Sequence, residues 1–248
     1  MAGPPVTAFV RAGLRLLTVQ ACFNHERMIG VGVGYATEPL LRALPDGVTG
    51  DRYRNAMRRA STYFNAHPYL VGLAVGALAR AEHDDVPGPQ VERLRTALVS
   101  PLGALGDRLV WAGTLPAASA VGLVLSTDAR AGLGAIAMLG LYNGPHLLLR
   151  VWGLLAGWRY GTRVGRALAN PLLRLALRVV GPVAALAIGI ALPLVAAHLV
   201  GAFDLAVWAG VATGAALAAG VLKWVAPTLG AVRLGLIATA VVVLGAAW

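Results

Sequence analysis

From Val179 to Phe203 the chain runs without a charged residue. That run exceeds the roughly 20 apolar residues a helix needs to cross a hydrocarbon core about 30 Å thick. The rest of the sequence agrees with it: 58% of residues are hydrophobic and only 13% charged, against about 45–50% and about 25% in water-soluble domains. Mean hydropathy is +0.70. The expected fold is an all-α integral membrane protein, with several transmembrane helices, re-entrant or broken helices and amphipathic surface helices.

A net charge of +10 raises the question of nucleic acid, but a nucleic-acid binder needs its basic groups on an exposed face among polar and stacking residues. Here they flank greasy runs. Arg150, Arg159, Arg163, Arg166, Arg174 and Arg178 lie between two apolar blocks with no acid among them, as the positive-inside rule expects of a cytoplasmic segment. Nucleic acid is excluded as a partner, and the segment 150–178 is expected inside the cell. The single cysteine, Cys22, excludes an intramolecular disulfide and any cysteine-cluster metal site. Arg11 and Arg15 interrupt the N-terminal apolar stretch, which a signal-peptide core does not tolerate.

Residues 7 to 22 have amphipathic helical spacing and are expected on the membrane surface. Residues 38 to 60 read as a loop and a solvated basic helix. His67 to Ala79 is apolar for too short a length to span, so it is expected to be buried or re-entrant. The stretch from Glu82 to Pro89 is acidic, rich in proline and glycine, and reads as a linker. Ser100 to Arg108, with Pro101, Gly103 and Gly106, reads as a turn. Leu109–Leu125 and Gly132–Leu149 are blocks of marginal length interrupted by Pro116 and Pro145. After the basic segment, Val179–Phe203, Leu205–Leu222 and Leu234–Trp248 are expected as the C-terminal spans of one domain covering 1–248.

Polar groups at membrane depth are costly and are retained for function or mutual pairing. Four groups stand out: Phe23-Asn24-His25-Glu26-Arg27-Met28, Tyr63-Phe64-Asn65-Ala66-His67-Pro68-Tyr69, Gly103-Ala104-Leu105-Gly106-Asp107 and Tyr142-Asn143-Gly144-Pro145-His146. None has metal-ligand spacing or a nucleophile beside a base, so neither a catalytic residue, a metal nor a cofactor is expected. Amides and carboxylates suit a neutral, hydroxyl-bearing ligand. Asn65 and His67 either line its path or cap the helix starting near Pro68. Asp107 either meets the ligand or caps the helix that follows. Glu26 and Arg27, adjacent in sequence, need separate partners; Asp107 is one candidate for Arg27. Asn24, Glu26, Arg27 and Asn143 are expected in structural or partner contacts. His198 reads as an interhelical hydrogen-bonding group.

In this order and spacing, from about Arg15 to Gly161, the four stretches resemble the IID subunit of the mannose/fructose/sorbose family of the bacterial sugar phosphotransferase system. The chain departs from the family pattern at Phe23, where tryptophan is usual, at Ser100 in place of glycine, at Arg108 after Asp107, and at His146 in place of arginine. The resemblance implies a multi-pass subunit of the bacterial cytoplasmic (inner) membrane, working in an oligomeric complex with a IIC membrane subunit. A hexose-type sugar would cross that unit and take phosphate from IIB, itself supplied by IIA, while IID carries no phosphorylation site. The alternative is a scaffold or regulatory subunit of the same fold in an incomplete system, without transport.

Overall fold

The structure is a computed structural model that describes residues 3–126 and 131–200. Met1–Ala191 form one compact unit and Leu192–Trp248 a second. The spans expected at Leu205–Leu222 and Leu234–Trp248 lie outside the described residues. In chain order the helices are α1 (Val6–Leu16), α2 (Gly30–Leu41), α3 (Asp51–Ala60), α4 (Val71–His83), α5 (Gly88–Gly106), α6 (Leu115–Leu125), α7 (Ala131–Tyr160), α8 (Gly165–Leu168) and α9 (Pro171–Val200). The protein is an all-α membrane protein. Among the described residues, three stretches are long and apolar enough to cross a bilayer: Gly88–Leu125, Gly132–Arg163 and Pro171–Leu192.

The short apolar stretch after His67 forms α4, and Val71 to Ala79 are all buried. It lies at the centre of the core because its glycines let a second backbone approach. A Cβ at Gly72 would sit 2.7 Å from the carbonyl oxygen of Arg150, and one at Gly76 would sit 2.6 Å from the backbone nitrogen of Trp158. On α7, Gly153 and Gly157 meet the backbone of Leu73 in the same way. Small residues spaced by four on both helices make this a close crossing of the kind membrane helices use, where dispersion replaces hydrophobic drive.

The turn expected at Ser100–Arg108 is not formed. Pro101, Gly103 and Gly106 lie inside α5, which passes through a π-helical stretch, Asp107–Thr114, into α6. The wider register explains how Pro116 is accommodated. Leu115 donates its N–H to the carbonyl of Val110, five residues back, so the next position is occupied by a proline that has no N–H to place. Thr114 Oγ1 donates to the Leu109 carbonyl at 2.8 Å, occupying another backbone acceptor. The proline-interrupted blocks thus belong to long helices.

The outward faces of α7 and α9 carry exposed apolar side chains, among them Ile136 (70%), Leu148 (72%), Leu172 (75%) and Leu186 (65%). A surface of this kind is matched by lipid and not by water. The polar side of the unit is held by ion pairs instead. Arg59 grips Glu82 with two parallel bonds, Nε to Oε1 at 2.9 Å and Nη2 to Oε2 at 2.7 Å, joining α3 to α4.

Candidate functional site

The segment between α3 and α4 carries the second polar group of the sequence, and the first group holds it in place. Phe64 donates its N–H to the Arg27 carbonyl and accepts from Ile29 N–H, both at 3.1 Å. The turn before it closes through Met28 N–H to Asn24 O at 2.7 Å, with Met28 at φ 52. Asn24 Oδ1 accepts from Arg27 N–H at 2.8 Å, so Asn24 builds the turn. On the other side, the buried Arg95 of α5 donates to the Thr62 carbonyl at 2.5 Å, and its guanidinium lies 4.9 Å from the Phe64 ring centroid.

With the segment fixed, His67 points into the unit. It is buried against Gly106, where a Cβ would run into the imidazole. Tyr69 N–H donates to His67 Nδ1 at 3.3 Å, which leaves the ring proton on Nε2. Burial pushes the His67 pKa below its usual value; Asp107 pulls it up and Arg150 pushes it down, with the net shift downward. The ring is therefore neutral at pH 7.

Around His67 stand Tyr69 at 5.1 Å and Trp111 at 5.7 Å between ring centroids. Tyr142, His146 and Arg150 project from α7 at intervals of four and share one face. The His146 ring stacks on Tyr69 at 3.8 Å and meets Tyr142 edge-on at 4.0 Å. The two tyrosine hydroxyls lie 3.3 Å apart, and the Arg150 guanidinium sits 4.4 Å from the Tyr69 ring centroid.

Four nitrogens in this cluster are buried without a hydrogen-bond partner among the described residues: His67 Nε2, His146 Nδ1 and Nε2, and Arg150 Nε. Arg150 has no carboxylate within ion-pair distance among those residues either. Buried polar groups are nearly always paired, and an unpaired one costs about 1–3 kcal/mol. The cluster therefore holds hydrogen-bonding capacity and aromatic faces that the described residues leave unused.

The sequence-derived candidates divide accordingly. His67 is in the cluster, and Asp107 acts on it electrostatically from the start of the π-helical stretch. Asp107 caps no helix there, because the helix is continuous through it and no side-chain cap bond forms. Asn65 is exposed and its side chain has no hydrogen bond among the described residues. Asn143 is exposed and bonds its own helix, Nδ2 to the Leu139 carbonyl at 2.9 Å. The pairing considered for Arg27 with Asp107 is absent: both side chains are exposed and neither forms an ion pair among the described residues. Glu26 is likewise exposed and unpaired there. Of the cluster, the sequence candidates included only His67: Tyr69, Tyr142 and His146 lay in the polar stretches without being singled out as site residues, Trp111 was not noted, and Arg150 was placed at the start of the basic cytoplasmic segment.

The fold and the site define a polytopic helical membrane protein with a buried polar-aromatic cluster. Its matches to known proteins are specific. The family model for the mannose/fructose/sorbose family IID component of the phosphotransferase system matches residues 7–242, and the chain belongs to that family. It is 28% identical over 177 residues to the sorbose-specific EIID component of Klebsiella pneumoniae, covering 69% of this chain and 62% of that one. It is 25% identical over 154 residues to the mannose-specific EIID component of Escherichia coli K12, covering 60% and 53%. The matched region therefore spans about three-fifths or less of those relatives' own lengths. In fold it is similar to a chain in the cryo-electron microscopy structure of the mannose transporter ManYZ with microcin E492. The TM-score is 0.60 at 20% identity, over 75% of this chain and 69% of that one.

Proposed function

We propose that this chain is the transport subunit IID of a hexose phosphotransferase permease. It acts with a IIC membrane subunit in an oligomeric complex of the bacterial inner membrane, where IIB, charged by IIA, phosphorylates the sugar. It contributes no phosphorylated residue of its own. The observation that carries this is the cluster of His67, Tyr69, Trp111, Tyr142, His146 and Arg150, in which rings and unpartnered donors converge at the meeting of three motif-bearing segments. These nitrogens are shut off from solvent within the isolated chain, so the proposal requires the cluster to open for sugar hydroxyls to reach them. Asp107 and Asn65 are exposed, and in this proposal they line the sugar's approach, Asp107 because it acts electrostatically on His67 and Asn65 because it lies two residues before it.

The test is co-expression of the tagged chain with IIC and the cytoplasmic subunits in a host lacking its own mannose-family permeases. IIC is expected to copurify, and cells are expected to accumulate hexose phosphate only when both membrane subunits are present. Copurification with no uptake of any hexose would favour the scaffold alternative. Uptake without IIC would refute the proposal.

A further inference from the structure

Helix α1 has three faces, and only one is explained by the core. Ala8, Ala12 and Leu16 are buried. Val6 (79% exposed), Val10 (56%), Leu14 (60%) and Leu17 (47%) form an outward apolar stripe. Between these two faces run Thr7, Arg11 and Arg15. A helix with separate core, basic and apolar faces is built to lie in the plane of a membrane surface while docked to a protein.

The basic face opens on a cavity of about 330 Å³ lined by Arg11, Arg15 and Arg42, with Glu38 the sole acid lining it among the described residues. Glu38 is already engaged: Arg15 Nη1 reaches Oε2 at 2.7 Å, Arg42 Nε bonds Oε1, and Tyr53 donates to Oε1 at 3.2 Å. Arg15 is further fixed by the Tyr35 carbonyl at 2.9 Å and by the Tyr35 ring at 4.2 Å. Arg11 has no hydrogen bond or ion pair among the described residues. The cavity thus holds two guanidinium charges more than carboxylates, with one guanidinium free and two preset, next to an apolar stripe.

We infer that this cavity binds the phosphodiester headgroup of an anionic phospholipid whose acyl chains lie along Val6, Val10, Leu14 and Leu17. Charge complementarity selects an anion, and the adjoining stripe selects one that carries a hydrocarbon tail. Free phosphate would use the arginines and leave the stripe unmatched. The inference needs only the membrane setting and does not depend on the sugar path.

The experiment is native mass spectrometry of the full chain in detergent, titrated in turn with dioctanoyl-phosphatidylglycerol, dioctanoyl-phosphatidylcholine and inorganic phosphate. Saturable phosphatidylglycerol binding is expected, at least about tenfold tighter than phosphatidylcholine or phosphate. Arg11→Gln is expected to weaken it about fivefold, the contribution of one basic residue near an anionic surface, with unchanged thermal stability because Arg11 forms no hydrogen bond or ion pair among the described residues. Leu14→Ser is expected to weaken both lipids while the preference between them persists. Equal affinity for the two lipids, phosphate binding as tight as phosphatidylglycerol, or an unaffected Arg11→Gln variant would each overturn the inference. Loss of IIC copurification by Arg11→Gln with lipid binding intact would assign the cavity to a subunit interface and overturn it too.

Discussion

Replacing Gly76 by valine at the α4–α7 crossing tests whether close backbone approach organises the core. A Cβ there would lie 2.6 Å from Trp158 N, 3.0 Å from the Gly157 carbonyl carbon and against the Leu154 carbonyl oxygen. All three are backbone atoms of one helix, so no side chain can rotate away and α7 itself must retreat. Overpacking of this kind costs about 1–3 kcal/mol. At about 2–4 °C per kcal/mol for a chain of this size, the midpoint of thermal unfolding in detergent should fall by roughly 6 °C. Gly103→Ala is the matched control. That glycine is also in a helix, but its Cβ would meet nothing within 4 Å, so the change should stabilise by about 0.5–1 kcal/mol through helix propensity alone. The midpoint is read by fluorescence-detected size-exclusion chromatography after heating. If both variants behaved alike, the crossing would be looser than described and the reasoning refuted.

Glu82→Gln is expected to destabilise by about 3 kcal/mol, because it strips the bidentate partner from Arg59 in a cavity that also holds Arg95; the same heating assay reads it. Stability should also depend on pH through Glu38. Burial raises that carboxyl's pKa, but bonds from Arg42, Arg15 and Tyr53 outweigh it and leave it below its usual value. Its contribution is therefore complete above the unfolded carboxylate pKa of about 4.3 and lost as pH falls through the lower folded value. Glu38→Gln should flatten the acid limb of a melting-point profile while lowering the neutral plateau; an unchanged acid limb would exclude Glu38 as its source.

How far the sequence led can be judged from particular residues. The shortness of the apolar stretch after His67 excluded a full span and left a buried or a re-entrant piece, because length against bilayer thickness is a strong constraint; α4 is the buried one. The glycines near Gly106 misled: glycine marks either a turn or a close approach, and here the backbone yields space to the His67 ring. Pro116 was misjudged because a π-helical register has no one-residue signal. Arg150 was assigned by its basic neighbours to the cytoplasmic segment 150–178, although Tyr142, His146 and Arg150 at intervals of four already shared a helix face. The cluster as a whole was illegible, since Trp111 and Tyr69 meet it through tertiary packing that only the α4–α7 crossing and the turn at Asn24–Met28 create.

The most direct measurement of the sugar-path claim is hexose uptake by Asp107→Asn, beside Asp107→Ala and wild type, at matched membrane abundance with the other subunits supplied. Asp107 is exposed at the start of the π-helical stretch, next to the neutral His67, and caps no helix, so asparagine removes charge with little change of shape. A charged hydrogen bond to the sugar is worth about 1.5–3 kcal/mol, and its loss should lower kcat/KM for uptake at least about tenfold in both variants. Wild-type uptake by the asparagine variant would contradict a place for Asp107 on the sugar path.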